Sequence, residues 1–442
     1  MSSYDLMSSR SIRRRYAVVN FLIWFATSLP LAVSILLIQS RGLSLTQIGF
    51  VMGAYSLIIV LLELPTGGLA DAIGRKHAAL IAHALSALAS LVLLFAFSMP
   101  AFLAAMDLYG VSRALASGAL DAWFVDALQA ADPAIDLQPA LAEAETVSLL
   151  ALGMGTLIGG ALPRLFAGLP PDGTAVLTPM AVPIMAAFLV RLLLLLPALA
   201  VLIPEPRPIG ASADWRAGFR DVPALIRDAA ILSRANSRLM LLMLASFASG
   251  FALLSIESFW QPHFAGLPAV GDVPSLLLGV IMAGSFLAGM GGNLLAGPAG
   301  RRFQAGANGE RSRAYAWVAG LARLGQGVCL LGLATATALV PAAGFFWLVY
   351  LTSGIALSPH AALVNAEILA ERRSAMLSIQ SLALYAGSFA GGALLGPVAD
   401  AWGIPAAWII AGGVLLASFV PYALLNSNRY GFSGPDRPLQ SP

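Results

Sequence analysis

The chain has 442 residues, of which 59% are hydrophobic and 11% are charged, and 25 basic against 22 acidic side chains give a net charge of +3. Its mean hydropathy is +0.83. A soluble core does not need so many apolar side chains, so the composition excludes an ordinary soluble domain and indicates a chain whose solvent is mostly lipid. The single cysteine, Cys329, leaves no disulfide framework and no cysteine-based metal cluster.

Long apolar stretches follow one another along the whole chain. Roughly 20 apolar residues are needed to cross the ~30 Å hydrocarbon layer of a bilayer. About twelve stretches of that length occur, separated by short segments rich in Pro, Gly and charge, near 16–38, 47–69, 78–98, 101–123, 140–165, 180–203, 237–260, 275–298, 314–338, 342–365, 376–399 and 404–425. The sequence therefore predicts an all-α polytopic membrane protein.

The basic residues predict its orientation, because bases in short loops stay on the cytoplasmic side. With the N-terminus inside, the outer loops hold only Arg41 and Arg164, and the spans hold Arg113, Arg191 and Arg323. An even number of helices then places both termini in the cytoplasm. The basic residues are explained by this orientation in the membrane. We therefore expect a lipid bilayer, and no nucleic acid, as partner. Scarce lysine beside abundant arginine and alanine favours a high-GC bacterial genome, and hence the bacterial inner membrane.

A polar interruption divides the chain into two similar parts. We expect an N-terminal six-helix bundle at 1–203, a cytoplasmic linker at 204–236, and a C-terminal six-helix bundle with a cytoplasmic tail at 237–442. Within the linker, residues 215–232 mix apolar residues with Arg and Asp at roughly helical spacing. This pattern fits a helix on the inner membrane surface or an ordinary solvated linker.

The most specific motif lies between the second and third spans. Residues 67–76 read GGLADAIGRK, and residues 291–302 (GGNLLAGPAGRR) follow the eighth span in the same way. Aligning the two copies places Gly297 where Asp71 lies, so the second copy lacks the acid. Matching positions in two six-helix halves are typical of a duplicated transporter whose substrate site lies between the halves near mid-membrane.

These residues resemble the major facilitator superfamily over essentially the whole chain. The family motif for the loop between helices two and three, G-x-L-A-D-x-x-G-R-K, is matched at every fixed position by residues 67–76. A signature of exporters on helix five, G-P-x-x-G-G-x-L, is similar to residues 155–162 except that Thr156 replaces the proline. The resemblance implies two pseudo-symmetric six-helix bundles and, through the second signature, the drug-efflux-like, proton-antiporting bacterial branch.

The resemblance also implies that the first loop holds the outward-facing state closed on the cytoplasmic side. The predicted latch comprises Gly67, Asp71, Gly74, Arg75, Lys76 and Asp121. As the acid that pairs with Arg75, Asp121 is preferred over Asp126, which is the alternative. The motif could instead only end a helix and satisfy topology.

Four charged residues inside the spans are candidates for proton coupling or for lining a cavity: Glu63, Asp107, Arg113 and Glu257. An unpaired carboxylate in the hydrocarbon layer costs several kcal/mol unless it is protonated, hydrated or paired. For Glu63 a structural hydrogen-bonding role is an equal alternative, and for Arg113 the alternative is an ion pair that fixes helix packing. For Arg191 we expect snorkelling to the interface rather than ligand binding.

Small residues predict where helices approach one another closely. Gly155, Gly159 and Gly160 on helix five and Gly391 and Gly392 on helix eleven are expected to form packing seams, paired across the two halves. The four histidines are scattered, and no phosphate-binding loop or nucleophile with its base is present, so we expect no enzyme, no cofactor and no metal.

Together these observations predict a monomeric secondary transporter that exports a small, partly apolar drug or metabolite in exchange for protons by alternating access. An uptake symporter or facilitator for sugars or metabolites is the alternative within transport. A membrane receptor or scaffold that does not transport is the alternative of another class.

Overall fold

The computed structural model describes residues 8–171, 173–204, 236–267, 274–306, 311–367 and 373–426, and within these ranges the side chains of 63–65, 67–72, 305–306 and 373–379 are not described. The described residues form helices and no strands. The predicted linker lies mostly outside them. The helices of the first half are α1 (Ser9–Ser28, a 3₁₀ turn Leu29–Ala32, and Ser34–Ser40), α2 (Leu45–Ile73), α3 (Arg75–Leu94), α4 (Met99–Ala116 and Ala119–Ala131), α5 (Leu137–Leu165) and α6 (Pro179–Ala181, Val182–Val190, a π-helical turn Arg191–Leu195, and Leu196–Leu202).

The second half repeats this arrangement. Its helices are α7 (Ser237–Ala265), α8 (Ser275–Gly306), α9 (Arg311–Thr335), α10 (Leu339–Ala366), α11 (Arg373–Trp402) and α12 (Ile404–Ala417 and Phe419–Leu425). In the described part of the chain, eleven of these twelve helices are long and apolar enough to cross a membrane. The exception is α4, which is interrupted at Ser117 and Gly118, where Gly118 adopts a φ of 71°. The prediction of an all-α fold of about 12 helices is confirmed.

Local sequence determines where several helices begin and end. At the start of α2 the Ser44 side chain accepts from the Gln47 backbone N–H, and the Gln47 side chain accepts from the Ser44 backbone N–H. The helix continues beyond its predicted end at 69 and stops at Gly74, whose φ of 93° suits glycine. The side chains of Asp136 and Asn236 also accept from backbone N–H groups in the first turns of α5 and α7.

Aromatic packing holds each half together. In the second half the Trp260 ring lies 5.4 Å from that of Phe346 and 6.2 Å from that of Phe264, and all three side chains are buried. In the first half Tyr16 of α1 stacks on Phe124 of α4 at 4.0 Å. Such close ring packing favours movement of each half as a rigid unit.

The two halves meet along two helix pairs, in which α2 packs against α11 and α5 packs against α8. In each pair the helices run in opposite directions, because an even number of helices lies between them, eight in the first pair and two in the second. The predicted pairing of helices five and eleven is corrected, since each of them packs against another helix of the opposite half. We call the end of the bundle that carries the connections at 41–44, 95–98 and 403 the outer end, following the topology predicted from the basic residues.

Candidate functional site

Side chains from both halves meet around Tyr55, which lies ~15 Å along α2 from its outer end. Tyr109 and Arg113 of α4, in the same half, lie within electrostatic range of Tyr55. Glu257 of α7 and Tyr385 of α11, in the other half, lie within the same range. None of these five side chains is fully buried. We call this region between the halves the central space, and it brings together two of the predicted charged residues, Arg113 and Glu257.

Glu257 is the acid of this central space. It is exposed although it lies ~12 Å along α7 from the outer end of that helix. Among the described residues no basic side chain forms an ion pair with it. Tyr350 of α10 lies within its electrostatic range, and the buried Tyr350 hydroxyl has no hydrogen-bond partner among the described residues. The site thus offers a carboxylate and a hydroxyl that a bound proton, cation or polar group can satisfy.

The remaining predicted proton-coupling residues are placed differently. Asp107 lies six residues before Arg113 and therefore on another face of α4. One of its carboxylate oxygens is buried and has no hydrogen-bond partner among the described residues. The side chains of Glu63, Gly67 and Asp71 lie outside those that the structure describes. No group of three or more His, Cys, Asp or Glu residues in the described part of the chain is arranged to hold a metal ion.

Above the central space, a glutamine of one half completes a broken helix of the other. The 3₁₀ turn in α1 leaves backbone groups without helical partners. The buried Gln261 side chain of α7 donates to Leu31 O at 2.8 Å and accepts from the N–H groups of Ile35 at 3.0 Å and Leu36 at 3.2 Å. This contact joins α7 to α1 near the outer end.

The two helix pairs between the halves are also closed near the outer end. The Ser275 hydroxyl of α8 donates to Gly160 O of α5 at 2.7 Å. In the other pair, a Cβ on Gly49 of α2 would lie 2.5 Å from Gly392 O of α11. The hydrogen bonds of Gln261, Ser275 and Asp400 to the opposite half lie in the outer part of the bundle. The described halves are therefore joined above the central space.

The predicted seam glycines are sites of close approach. A Cβ added to any of the five would overlap atoms of another helix: Gly155, Gly159, Gly160, Gly391 and Gly392. Gly155 and Gly159 face α1, and Gly391 faces α7, so these three lie against helices of their own half. Gly160 and Gly392 face the opposite half. The seams therefore combine packing within a half and packing between halves.

At the inner end, Arg75 forms an ion pair with Asp126. The prediction that prefers Asp121 as the partner of Arg75 is therefore wrong. Asp121 instead accepts a hydrogen bond from the Tyr16 hydroxyl of α1 at 2.5 Å. Five residues correspond to ~140° around a helix, so the two acids of α4 point to different neighbours. The alternative acid, Asp126, is the one on the side of α3.

Further contacts tie the inner ends of the first half together. The Lys76 ammonium donates to Ala200 O of α6 at 2.6 Å, and Arg15 of α1 donates to Leu202 O at 3.3 Å. The Trp123 indole N–H of α4 donates to Pro204 O at 2.9 Å. These hydrogen bonds connect α1, α3, α4 and α6. The two bases of the 67–76 motif thus contribute to the cohesion of their own half.

Buried polar clusters lie behind the central space in each half, and the sequence did not reveal them. In the second half, His360 of α10 is hydrogen-bonded to Ser246 of α7 at 2.9 Å and to the Tyr422 hydroxyl of α12 at 2.8 Å. Nearby on α9, the Arg323 guanidinium donates to Gln326 at 2.6 Å. The residues of this cluster lie far apart in the sequence and form no motif. The one sequence feature that pointed to the cluster was Arg323, a charged residue within a predicted span.

The corresponding cluster of the first half surrounds Arg191. Its guanidinium donates to Ser90 of α3 at 3.0 Å, and the Ser90 hydroxyl lies 2.8 Å from that of Tyr109. Arg191 also lies over the Tyr109 ring, 5.6 Å from its centre. Only 3% of Arg191 is exposed, so the prediction that it snorkels is wrong. The cluster links a buried charge to a tyrosine of the central space.

The chain matches the family model described as Major Facilitator Superfamily over residues 16–365. The chain belongs to the Major Facilitator Superfamily. It is therefore a multi-pass membrane protein of a transporter family, and not of an enzyme family. No curated protein matches it in sequence.

Solved structures of other transporters share this fold. The nucleoside transporter NupG has a TM-score of 0.71 and 13% sequence identity, with 94% of this chain and 98% of that chain covered. The peptide transporter POT, in complex with sulfate, has a TM-score of 0.67 and 14% identity, with 94% of each chain covered. A bacterial homologue of the human lysosomal transporter Spinster, inward-facing and unoccupied, has a TM-score of 0.66 and 15% identity, with 96% of each chain covered.

Proposed function

We propose that this Major Facilitator Superfamily protein exports a small, partly apolar, positively charged compound in exchange for protons by alternating access. The observation that carries the proposal is Glu257, an exposed carboxylate within α7, ~12 Å from the outer end of that helix, with no ion-pair partner among the described residues. Ionisable residues in such positions are typical of substrate pathways and proton relays. The proposed localisation is the bacterial inner membrane, with both termini in the cytoplasm and the protein acting as a monomer.

A single carboxylate can couple proton transport to substrate transport because it binds either a proton or a cation. In the inward-facing state the substrate cation displaces the proton of Glu257 into the cytoplasm. The halves then rock so that the site opens outward, and a proton from outside neutralises Glu257 and releases the cation. The tyrosines around the site supply aromatic faces, which attract cations. Arg113 supplies a hydrogen-bond donor for an acceptor group elsewhere on the substrate.

The direction of transport is proposed from the helix-five sequence at 155–162, which resembles the exporter signature. Uptake by symport or facilitation remains the alternative within transport. The scaffold alternative is disfavoured because a scaffold has no use for a carboxylate that lies within a span and forms no ion pair among the described residues, since such a group costs several kcal/mol to keep in the membrane. The 67–76 loop is proposed to act as the inner latch, as the family motif implies.

Proton release on cation binding tests the proposal. Purified protein in weakly buffered detergent solution near pH 7 is mixed with tetraphenylphosphonium or ethidium, and a pH indicator dye reports released protons. We expect release from the wild type and none from Glu257→Gln. The matched control is Glu143→Gln, which changes an exposed carboxylate 3.7 Å from Arg13 at the inner end of α5 and should release protons as the wild type does.

Undiminished release from Glu257→Gln would exclude Glu257 as the exchanging group. Proton uptake, instead of release, when a neutral sugar or nucleoside is added to the wild type would favour the symport alternative.

A further inference from the structure

The turn between α11 and α12 repeats the sequence of the turn between α2 and α3. Residues 396–403 read GPVADAWG and residues 67–74 read GGLADAIG, so that Gly, Ala-Asp-Ala and Gly occupy the same positions. Asp400 corresponds to Asp71. The outer copy lacks the two bases, since Ile404 and Pro405 replace Arg75 and Lys76.

The backbone of the two turns is also the same. In the inner turn the helix ends at Ile73, Gly74 has a φ of 93° and a ψ of 140°, and the next helix starts at once. In the outer turn the helix ends at Trp402, Gly403 has a φ of 86° and a ψ of 160°, and the next helix again starts at once. Both glycines occupy a region that other residues rarely adopt. The repeat is therefore structural as well as sequential.

The acid of the outer turn binds the opposite half. The Asp400 carboxylate accepts the backbone N–H groups of Leu45 at 3.0 Å and of Thr46 at 2.8 Å. These are the first two N–H groups of α2, which have no partner inside the helix. Ser44 binds the third. A negative charge at this position also interacts favourably with the helix dipole.

The glycine of the repeat allows the acid to reach α2. A Cβ on Gly396 would lie 2.9 Å from Thr46 Cα and 3.0 Å from Leu45 O. Because α2 and α11 run in opposite directions, the C-terminal end of α11 meets the N-terminal end of α2 at the outer side. The same geometry directs the C-terminal end of α2, which carries Asp71, towards the N-terminal end of α11 at the inner side.

We propose that the 396–403 turn is an outer gate related to the 67–76 loop by the inverted symmetry of the fold, and that Asp400 keeps the outer side closed by capping α2 across the two halves. When the halves separate, Asp400 and the N-terminal N–H groups of α2 become hydrated. Asp400 is already exposed, so this exchange of partners is cheap and reversible. The inference depends on alternating access and not on proton coupling or on the identity of the substrate.

Distance measurements between the halves test this gate without any substrate. Spin labels are attached to cysteines at exposed Ser98 and Thr337, which lie at the outer end of opposite halves, in a Cys329→Ala background. Electron–electron resonance then reports the ratio of outer-open to outer-closed molecules. In Asp400→Asn one of the two accepting oxygens is replaced by an NH2 group, which cannot accept a hydrogen bond, and the negative charge is lost. We expect this variant to raise this ratio by about three- to tenfold.

A second variant removes the other side of the same contact. Leu45→Pro deletes one donated N–H at the first position of α2, where proline is tolerated, and Ser44 already has the extended conformation that precedes proline. It should raise the ratio as Asp400→Asn does, and Leu45→Ala controls for the lost side chain.

Asp136→Asn is the matched control for the acid, because Asp136 caps α5 within its own half by accepting from Gln138 N at 3.0 Å. It should leave the ratio unchanged. A wild-type distance distribution in folded Asp400→Asn or in folded Leu45→Pro would overturn the proposal, as would an equal increase in Asp136→Asn.

Discussion

The number of protons exchanged per substrate follows from the charges around the central space. In the described part of the chain, Glu257 is the acid among the side chains that surround Tyr55. One carboxylate exchanges one proton for one monovalent cation, so the cycle moves no net charge. A difference of one pH unit corresponds to 1.36 kcal/mol per proton, which supports a cation gradient of about tenfold. Two pH units should support about a hundredfold.

The assay uses proteoliposomes with an imposed pH difference and a membrane potential held at zero by potassium and valinomycin. An electrode measures the steady-state distribution of tetraphenylphosphonium. We expect about tenfold accumulation per pH unit in the wild type and no accumulation in Glu257→Gln. A hundredfold gradient per pH unit would require two protons per cation and would refute the reasoning. So would a gradient that responds to an added potential, because each net charge moved contributes about 2.3 kcal/mol per 100 mV.

Three further variants test the latch, the seams and the buried clusters. Asp71→Asn should abolish transport in a folded, inserted protein, because the family motif implies that this acid closes the inner side; wild-type transport rates would contradict the latch. Gly159→Val should lower the free energy of unfolding in detergent by about 1–3 kcal/mol, because the added side chain would overlap Leu29 O. The control is Gly153→Val on the same helix. A Cβ there meets nothing within 4 Å, so this variant should change the free energy of unfolding by less than about 0.5 kcal/mol. His360→Leu should lower the free energy of unfolding by about 2–4 kcal/mol, because it removes the hydrogen bonds of His360 to the Ser246 and Tyr422 hydroxyls. The control is His77→Leu at an exposed position. Equal thermal stability of the two variants would contradict this role of His360.

The helices and their order were predictable because lipid demands long apolar stretches and internally satisfied backbones. The interruption of α4 was less visible. The apolar pattern predicted a span that ends at residue 123, whereas the helix continues to Ala131. Gly118 indicates a break only when this longer helix is known. The break in α1 has a similar cause, since the backbone groups that it frees are satisfied by Gln261, more than 200 residues away.

The candidate site was predictable in kind but not in geometry. A charge inside a span is rare, so Arg113 and Glu257 stood out in the sequence, yet nothing there showed that both lie around Tyr55. The wrong choice between Asp121 and Asp126 has the same origin, because both acids suit an inner helix end. Only the rotation of α4 against α1 and α3 decides which acid meets Arg75.

Accumulation in living cells tests the central claim, proton-driven export through Glu257, most directly. Efflux-deficient bacteria that express the wild type, Glu257→Gln or no transporter are loaded with ethidium, with and without a protonophore. We predict lower accumulation with the wild type alone, restored by the protonophore, and no lowering with Glu257→Gln at equal membrane expression. Lowered accumulation that persists in Glu257→Gln or in the presence of the protonophore would contradict the account, as would increased accumulation with the wild type.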